Sequence, residues 1–355
     1  MDISTEVDGK NLEALTSLQE NAYLTNRREP HVTVIVPAWN GADTLAGCLN
    51  SVFSSKYRNI DVIVVDNAST DGTLSLLSES FPNARVIRNR ENLGPGGAFK
   101  QATSLSTGEY LLWLNQDVIL DSDWISQIVR AFQTNPRLGM ASSIVVYSEP
   151  RDMVWSAGGR LDGFTGLAWD FGKGERVTEV LPLAEPDYVA GCASILRRQA
   201  LDSIGGVDPN YFLYFEDADL GLRLKAMGYE LAILAAPTVL HKCDLHKKED
   251  PKNPEKKLFF FVRSNVRFVV KNWPFPRLMM ALGACLGFYL LFATIKGPSI
   301  YVPSVLKAAA WNIRNVKTTL RERVQNGQRG VPGNRFGSLS SFIYKTARRP
   351  ELFPY

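Results

Sequence analysis

Three carboxylates fall within four residues at Glu216-Asp217-Ala218-Asp219, directly after the aromatic pair Tyr214-Phe215. Like charges this close raise at least one pKa, which suits a general base, although the macrodipole also favours acids at a helix start. Earlier in the chain the apolar run Leu111-Leu112-Trp113-Leu114 stops at Asn115-Gln116-Asp117. A buried strand ending on a carboxylate presents a rigid ligand for a hard divalent cation, and Asp121 and Asp123 lie close by, either as further ligands or as the cap of the next helix. His241 follows the apolar, strand-like segment Ala235–Leu240, where a neutral imidazole can complete the coordination begun by Asp117.

Three more clusters suit a nucleotide. Pro37-Ala38-Trp39-Asn40 closes a β-branched run, and Asp66-Asn67-Ala68-Ser69 closes the next one. An aspartate at a strand end accepts from a base N–H or a ribose hydroxyl, with Trp39 as an apolar wall; the same residue types also form turns. Asn92-Leu93-Gly94-Pro95-Gly96-Gly97 opens a helix, so its backbone allows close approach and its N-terminus favours anions. Its spacing is neither G-x-G-x-x-G nor G-x-x-x-x-G-K-[ST], which argues against dehydrogenase and P-loop chemistry. A nucleoside cleft, a cation site and a base are what transfer from a donor with a diphosphate leaving group requires.

The elements that must hold these residues alternate. Strands are expected at 32–37, 61–65, 85–88 and 110–114, with helices at 43–53, 72–80 and 97–105 between them. Each parallel crossover needs a helix, so the pattern predicts a parallel, doubly wound sheet whose ligands bind beyond the strand C-termini. A helix follows from 121 to about Gln133, stopped by Asn135-Pro136, then a strand at 142–147, a loop-rich stretch at 155–175 and a strand at 192–197. A helix at 218–227 ends at Gly228, and a strand at 230–234 precedes His241.

The 355 residues are 45% apolar and 21% charged, enough for one large core with appendages and too apolar for a disordered chain. Cys48, Cys192, Cys243 and Cys285 show no paired spacing, so a reduced compartment fits, and Met1–Pro30 has no apolar leader segment. The charge is split: residues 242–355 carry 21 Lys+Arg against 6 Asp+Glu, and residues 1–241 carry 19 against 30. Residues 244–257 read as a charged linker. Beyond it, 258–273 places Arg263, Arg267 and Lys271 on one helical face among aromatic and β-branched residues, and 278–295 holds no charge. The flanking cations and aromatics favour a helix in the membrane interface over a buried core helix, with a single bilayer span left open by its length.

In order, these motifs resemble family 2 glycosyltransferases of the GT-A fold, especially the rhamnosyltransferase-like and galactofuranosyltransferase-like branch. The resemblance is carried by VIVPAWN (34–40), VVDNASTDGT (64–73), NLGPGGAF (92–99), LLWLNQD (111–117), WSAGGRLDGFTG (155–166), VAGCASILRR (189–198), FLYFEDADLGLRLKAMGY (212–229) and VLHK (239–242). It implies an α/β fold, a Rossmann-like and mostly parallel sheet flanked by helices, with a basic, helical, membrane-associating C-terminal region. The implied domains are an N-terminal extension at 1–30, a catalytic domain at 31–243 divided near residue 120, and the C-terminal region at 244–355.

By the resemblance, Pro37, Ala38, Trp39, Asn40 and Asp66 line the nucleoside pocket, and Asn92 and Gly94 lie near the ribose and diphosphate. Asn115-Gln116-Asp117 occupies the D-x-D position, with Asp117 and His241 holding Mn2+ or Mg2+. Asp217 of the Glu216-Asp217 pair is the base of an inverting reaction, and Gly191, Cys192 and Trp155 border the acceptor. Two residues depart from the family pattern: Asn115 removes one charge from D-x-D, and Lys100 stands where many relatives have asparagine. The implied donor is dTDP-L-rhamnose, with UDP-hexoses or UDP-galactofuranose as alternatives. The acceptor is a hydroxyl of a lipid-linked or cell-surface glycan such as O-antigen or cell-wall polysaccharide. The expected location is the cytoplasmic face of the cell membrane, on an anionic surface contacted through residues 258–323, with no nucleic-acid partner. Monomer and homo-oligomer both fit the sequence. A non-catalytic glycan-binding scaffold is the competing class.

Overall fold

The computed structural model describes residues 29–244 and 253–325. The acidic segment 1–28, most of the charged linker (245–252) and residues 326–355 lie outside the described residues. Strands β1 (Val32–Ala38), β2 (Ile60–Asp66), β3 (Arg85–Arg88) and β4 (Tyr110–Leu114) pair in parallel in the order β3-β2-β1-β4. Helices α1 (Leu45–Phe53), α2 (Thr73–Ser80) and α3 (Gly94–Thr103) connect them. The β-branched runs follow from burial on both faces. Val32, Val34 and Val36 share one core with Leu45, Leu49 and Val52 of α1, whereas Ile35 packs on the other side with Ala98 and Phe99 of α3.

Beyond β4, outside the 32–114 span from which the parallel repeats are read, the sheet becomes mixed. Strand β10 (Ala193–Arg197) runs antiparallel to β4 and to β6 (Leu138–Glu149). Strand β11 (Glu230–Asp244) then pairs in parallel with β6, and the short β5 (Val118–Ile119) runs antiparallel to it at the edge. The chain between β6 and β10 is a long excursion, not a single crossover helix, so nothing forces β10 to return parallel. That excursion, read from sequence as loop, holds β7 (Val154–Ser156) on the edge of β6 and a hairpin of β8 (Gly159–Leu161) with β9 (Ala168–Asp170). Helices α4 (Trp124–Thr134), α5 (Arg198–Ser203) and α6 (Glu216–Ala226) complete the layers.

Four helices follow: α7 (Pro254–Asn272), α8 (Phe275–Lys296), α9 (Pro298–Arg314) and α10 (Val316–Gln325). They share a core with the sheet-and-helix layers, since Tyr211, Phe215 and Leu222 pack with Phe261, Val262 and Phe268 of α7. The sequence reading of α7 as a basic lipid-facing helix is corrected here. Arg267 and Lys271 are 0% and 4% exposed. Arg267 bonds Asp208 at 2.8 Å and also Glu322, and Lys271 lies 2.9 Å from both Asp208 and Asp219. Arg223 meets Asp219 at 2.7 Å. A buried cation is tolerated only when paired, and this network supplies acids from the preceding loop, α6 and α10 that the linear pattern of α7 does not reveal.

Candidate active site

The C-termini of β1, β2 and β4 open into one cleft. At the first, Gln116 clasps the backbone of Trp39: its side-chain oxygen accepts from Trp39 N at 2.9 Å and its amide donates to Trp39 O at 3.1 Å. The clasp requires Gly41, where a Cβ would collide with Gln116 Oε1. It leaves the Trp39 side chain 52% exposed, free to meet a base, while Ala38 is buried in the core. Gln116 therefore shapes the loop. Asn40, at φ 48°, accepts from Thr70 N at 2.9 Å and so joins the β1 and β2 turns. Asp66 is buried, with its carboxylate accepting from Ser69 N at 3.3 Å.

Asn67, named from sequence only as part of the Asp66–Ser69 cluster, ties the second strand end to the glycine-rich turn. It donates to Gly94 O at 3.2 Å and accepts from Asn89 at 2.9 Å, while Asn92 accepts from Gly94 N at 2.8 Å. Gly94 has φ +73°, and a Cβ there would overlap the carbonyl oxygen of Phe212. Only glycine lets this turn press against the segment that carries the acids. Lys100 is exposed on α3.

At the third strand end, Asn115 N donates to Cys192 O at 2.8 Å, which fixes the turn against β10. Asp117 Oδ1 is buried and has no hydrogen-bond partner, and His241 Nε2 stands 3.6 Å from it. That separation is too long for a hydrogen bond but suits two ligands of one cation. His241 lies within β11, opposite Tyr147 on β6 and Val118 on β5. The strand-like run expected at 235–240 is the continuation of this strand, joined to 230–234 through an irregular register between Leu234 and Val239, around Pro237. Trp155 stacks on the imidazole with ring centroids 4.9 Å apart, and Cys243 Sγ lies 2.8 Å from Nδ1. Among the described residues no group of three His, Cys, Asp or Glu side chains could hold a metal alone. Asp117 and His241 would offer a divalent cation two ligands, leaving its other positions to groups from outside the chain. Asp121 and Asp123 serve locally, the first accepting from Asp123 N at 2.9 Å and the second pairing with Lys56 at 2.8 Å.

The acids stand across the cleft. Gly191 N donates to Asp217 Oδ2 at 3.1 Å, and Ala218 N donates to Oδ1 at 2.8 Å. Tyr214 and Phe215 precede them at φ 67° and 69°, a left-handed pair that costs of order 1–3 kcal/mol per residue. Edge contacts of both rings with Phe261 of α7, at 5.5 and 5.1 Å, hold that turn. Burial pushes Asp217 up to about 6 despite the Gly191 amide, and burial together with the Asp217 charge pushes Glu216 up to about 8. Near neutral pH, Asp217 is the ionised member and Glu216 the protonated one. Asp219 points away into the buried ion network. Cys192 places its side chain in the core and presents only backbone to the cleft.

A further carboxylate escaped the sequence reading. Asp170, at the end of β9, lies 3.5 Å from the Tyr188 hydroxyl and acts electrostatically on both Asp217 and His241. Burial raises its pKa against the opposing charge of Lys173. Only the motif LAWDFG in a stretch read as loop marked it.

Known proteins share the sequence pattern and the fold of this chain. The glycosyl transferase family 2 model covers residues 33–205, from β1 to the end of α5. The N-acetylglucosaminyl-diphospho-decaprenol L-rhamnosyltransferase of Mycobacterium tuberculosis is 28% identical over 230 residues, 59% of this chain and 75% of that protein. The O-antigen biosynthesis protein RfbC of Myxococcus xanthus is 27% identical over 238 residues, 63% of this chain and 18% of its own length. Among solved structures, the mannosyltransferase PcManGT of Pyrobaculum calidifontis, in complex with GDP-Man and Mn2+, aligns with TM-score 0.50 and 16% identity over 95% of this chain and 93% of that one. GalNAc-T7 with UDP, GalNAc and Mn2+ aligns with TM-score 0.55 and 16% identity, over 70% of this chain and 49% of that one. The fold is that of GT-A glycosyltransferases. Over residues 33–205, just under half of its length, the chain is similar to glycosyl transferase family 2.

Proposed function

We propose that this glycosyltransferase moves a sugar, L-rhamnose from a dTDP donor as the first choice, to a hydroxyl of a lipid-linked glycan with inversion at the anomeric carbon. The observation that carries the reading is the opposition of two groups across the Gly191-Cys192 edge. Asp117 and His241 lie on one side, and Asp217, held by the Gly191 amide, lies on the other. The rhamnosyltransferase relative supports the choice of sugar and the lipid-linked acceptor.

Trp39, Asn40 and Asp66 line the nucleoside side, and Asn92 and Gly94 border the ribose and diphosphate. Asn115 retains hydrogen-bonding capacity at the first D-x-D position, and Asp117 keeps the charge. Mn2+ or Mg2+ bound by Asp117 and His241 neutralises negative charge that develops on the departing nucleoside diphosphate. Asp217 accepts the acceptor's hydroxyl proton as the new C–O bond forms on the face opposite the breaking bond to phosphate. Its raised pKa makes it a stronger base than an exposed aspartate while leaving it ionised at neutral pH. Gly191 and Trp155 border the acceptor side, and Asp170 is placed to accept from hydroxyls of the transferred sugar. Protonated Glu216 spares Asp217 a second adjacent negative charge.

A thermal-shift and donor-hydrolysis screen tests this. The probes are dTDP-rhamnose, UDP-glucose, UDP-galactose, UDP-galactofuranose and GDP-mannose, each with and without Mn2+ or Mg2+. One donor is expected to stabilise the protein only with metal, and Asp117→Ala is expected to lose that shift while remaining folded. Absence of any donor shift under all conditions overturns the reading.

A further inference from the structure

Helix α8 is apolar almost throughout, so packing decides which side meets protein. Leu278, Ala281, Cys285, Tyr289 and Ala293 recur at helical spacing and are each at most 6% exposed. Cys285 Sγ and Tyr289 Oη both donate to Asn265 Oδ1 of α7, at 2.7 and 3.2 Å. On the opposite side Met279, Leu291 and Ile295 are 66%, 62% and 74% exposed, and Gly283 and Gly287 between them have nothing within 4 Å of an added Cβ. The face continues along α9 and α10, where Ile300, Leu306, Ile313 and Leu320 are exposed at about two-turn intervals.

Cations accompany this apolar face. Arg277, Lys296, Lys307, Arg314, Lys317 and Arg321 are all exposed. Within 275–325 the only acidic residue is Glu322, and it is turned inward to Arg267 and Asn210. Charge complementarity selects the occupant. A second copy would set the same six cations against themselves. The segment 326–355 carries Arg329, Arg335, Lys345, Arg348 and Arg349 against Glu351 alone, so it adds to the positive charge. Protein interface cores are depleted of such charges, whereas apolar side chains interleaved with lysine and arginine match the boundary of an anionic bilayer.

We propose that the outer face of α8, α9 and α10 docks on an anionic bilayer, with α8 lying in the membrane plane. Its apolar side chains enter the upper acyl region and its cations meet lipid phosphates. In-plane docking keeps the buried stripe against protein along four turns of α8, whereas a span would expose it to lipid. Through α7, on which α8 packs, the docked tier is tied to the β8–β9 turn. Asn265 Nδ2 donates to Gly166 O at 2.8 Å and Trp273 Nε1 to Gly163 O at 3.0 Å, both in the turn between β8 and β9, the strand that ends in Asp170. Docking there brings the cleft to lipid-linked acceptors, an inference that rests on the proposed function; the membrane contact itself does not.

The test is flotation of the full chain with phosphatidylcholine vesicles and with phosphatidylcholine–phosphatidylglycerol vesicles, at low and high salt, alongside donor hydrolysis in solution. Binding to the anionic vesicles is expected to be about tenfold or more stronger and to weaken with salt. Met279→Glu with Leu291→Glu is expected to reduce it at least about tenfold, and Lys307→Glu with Lys317→Glu to abolish the preference for anionic lipid, both with unchanged donor hydrolysis. Equal binding to the two vesicle types overturns the proposal, as does unchanged binding by the Met279→Glu, Leu291→Glu protein. Resistance of the bound protein to alkaline carbonate overturns in-plane docking in favour of a span. A dimer that dissociates in that double variant with vesicle binding intact assigns the face to a second copy and also overturns it. Vesicle binding without donor hydrolysis by the unaltered chain sinks the proposed function and leaves the docking face standing.

Discussion

Raising the pH from 5 to 7 should increase transfer about tenfold, because Asp217 must be ionised to accept a proton. With its pKa pushed up to about 6, roughly one molecule in eleven carries the carboxylate at pH 5 and about ten in eleven at pH 7. An exposed aspartate, at about 3.9, would already be more than nine-tenths ionised at pH 5, so the rate would change only about 1.1-fold. The difference originates in burial of the carboxylate, with the Asp170 charge adding to it and the Gly191 amide opposing it. The assay is the initial rate of nucleoside diphosphate release across this range. Donor affinity is measured at each pH by thermal shift, so that loss of binding is not mistaken for loss of base. Asp217→Asn should lower the rate by about 10²–10⁴-fold and abolish the acid limb. Glu216→Gln should keep the limb near pH 6, since the proton on Glu216 is retained up to about 8. A flat profile between pH 5 and 7, or a limb that survives in Asp217→Asn, refutes the assignment. Stability runs the other way. A raised folded pKa stabilises the fold below the unfolded value, and that contribution is lost as pH rises from about 4 through 6.

Two further outcomes are expected. Lys271→Ala leaves Asp208 and Asp219 buried with one cation fewer and should destabilise the fold by about 3–5 kcal/mol, measured by denaturant unfolding. Burial alone would raise these two carboxyls, but Lys271, Arg267 and Arg223 outweigh it and lower both. Their contribution is therefore present above the unfolded pKa of about 4 and is lost as pH falls further; stability unchanged in Lys271→Ala would refute the network. Asp170→Asn removes a charge that raises Asp217, so the acid limb should move to lower pH. Donor KM should rise while affinity for the free nucleoside diphosphate stays constant; an unmoved limb and KM would place Asp170 outside the site.

The parallel half of the sheet was legible in the chain because burial on both faces leaves its strands as unbroken β-branched runs. The strand-end polar clusters stood out against them at Asn40, Asp66 and Asp117, and the Glu216-Asp217 pair stood out at a helix start. Such features are local: each is a change of residue type within a few positions, and their order along the chain carried the family resemblance. Asp170 was not legible, because its meaning depends on a hairpin that brings it toward Asp217 and His241 from a stretch without periodicity. The run 235–240 was legible as strand-like, but its pairing with β6 and β5, which places His241, was not. Arg267 and Lys271 read as a lipid-facing stripe until their partners arrived from Asp208, Asp219 and Glu322, as many as 63 residues away along the chain. In α8 an almost uniformly apolar sequence contains no preferred face at all. Residue type alone determined where strands end and which groups can ionise or ligate. Which charges are buried, which acids share a cleft and which side of an apolar helix meets solvent were decided by tertiary packing, because desolvation and pairing depend on neighbours that are close only in space.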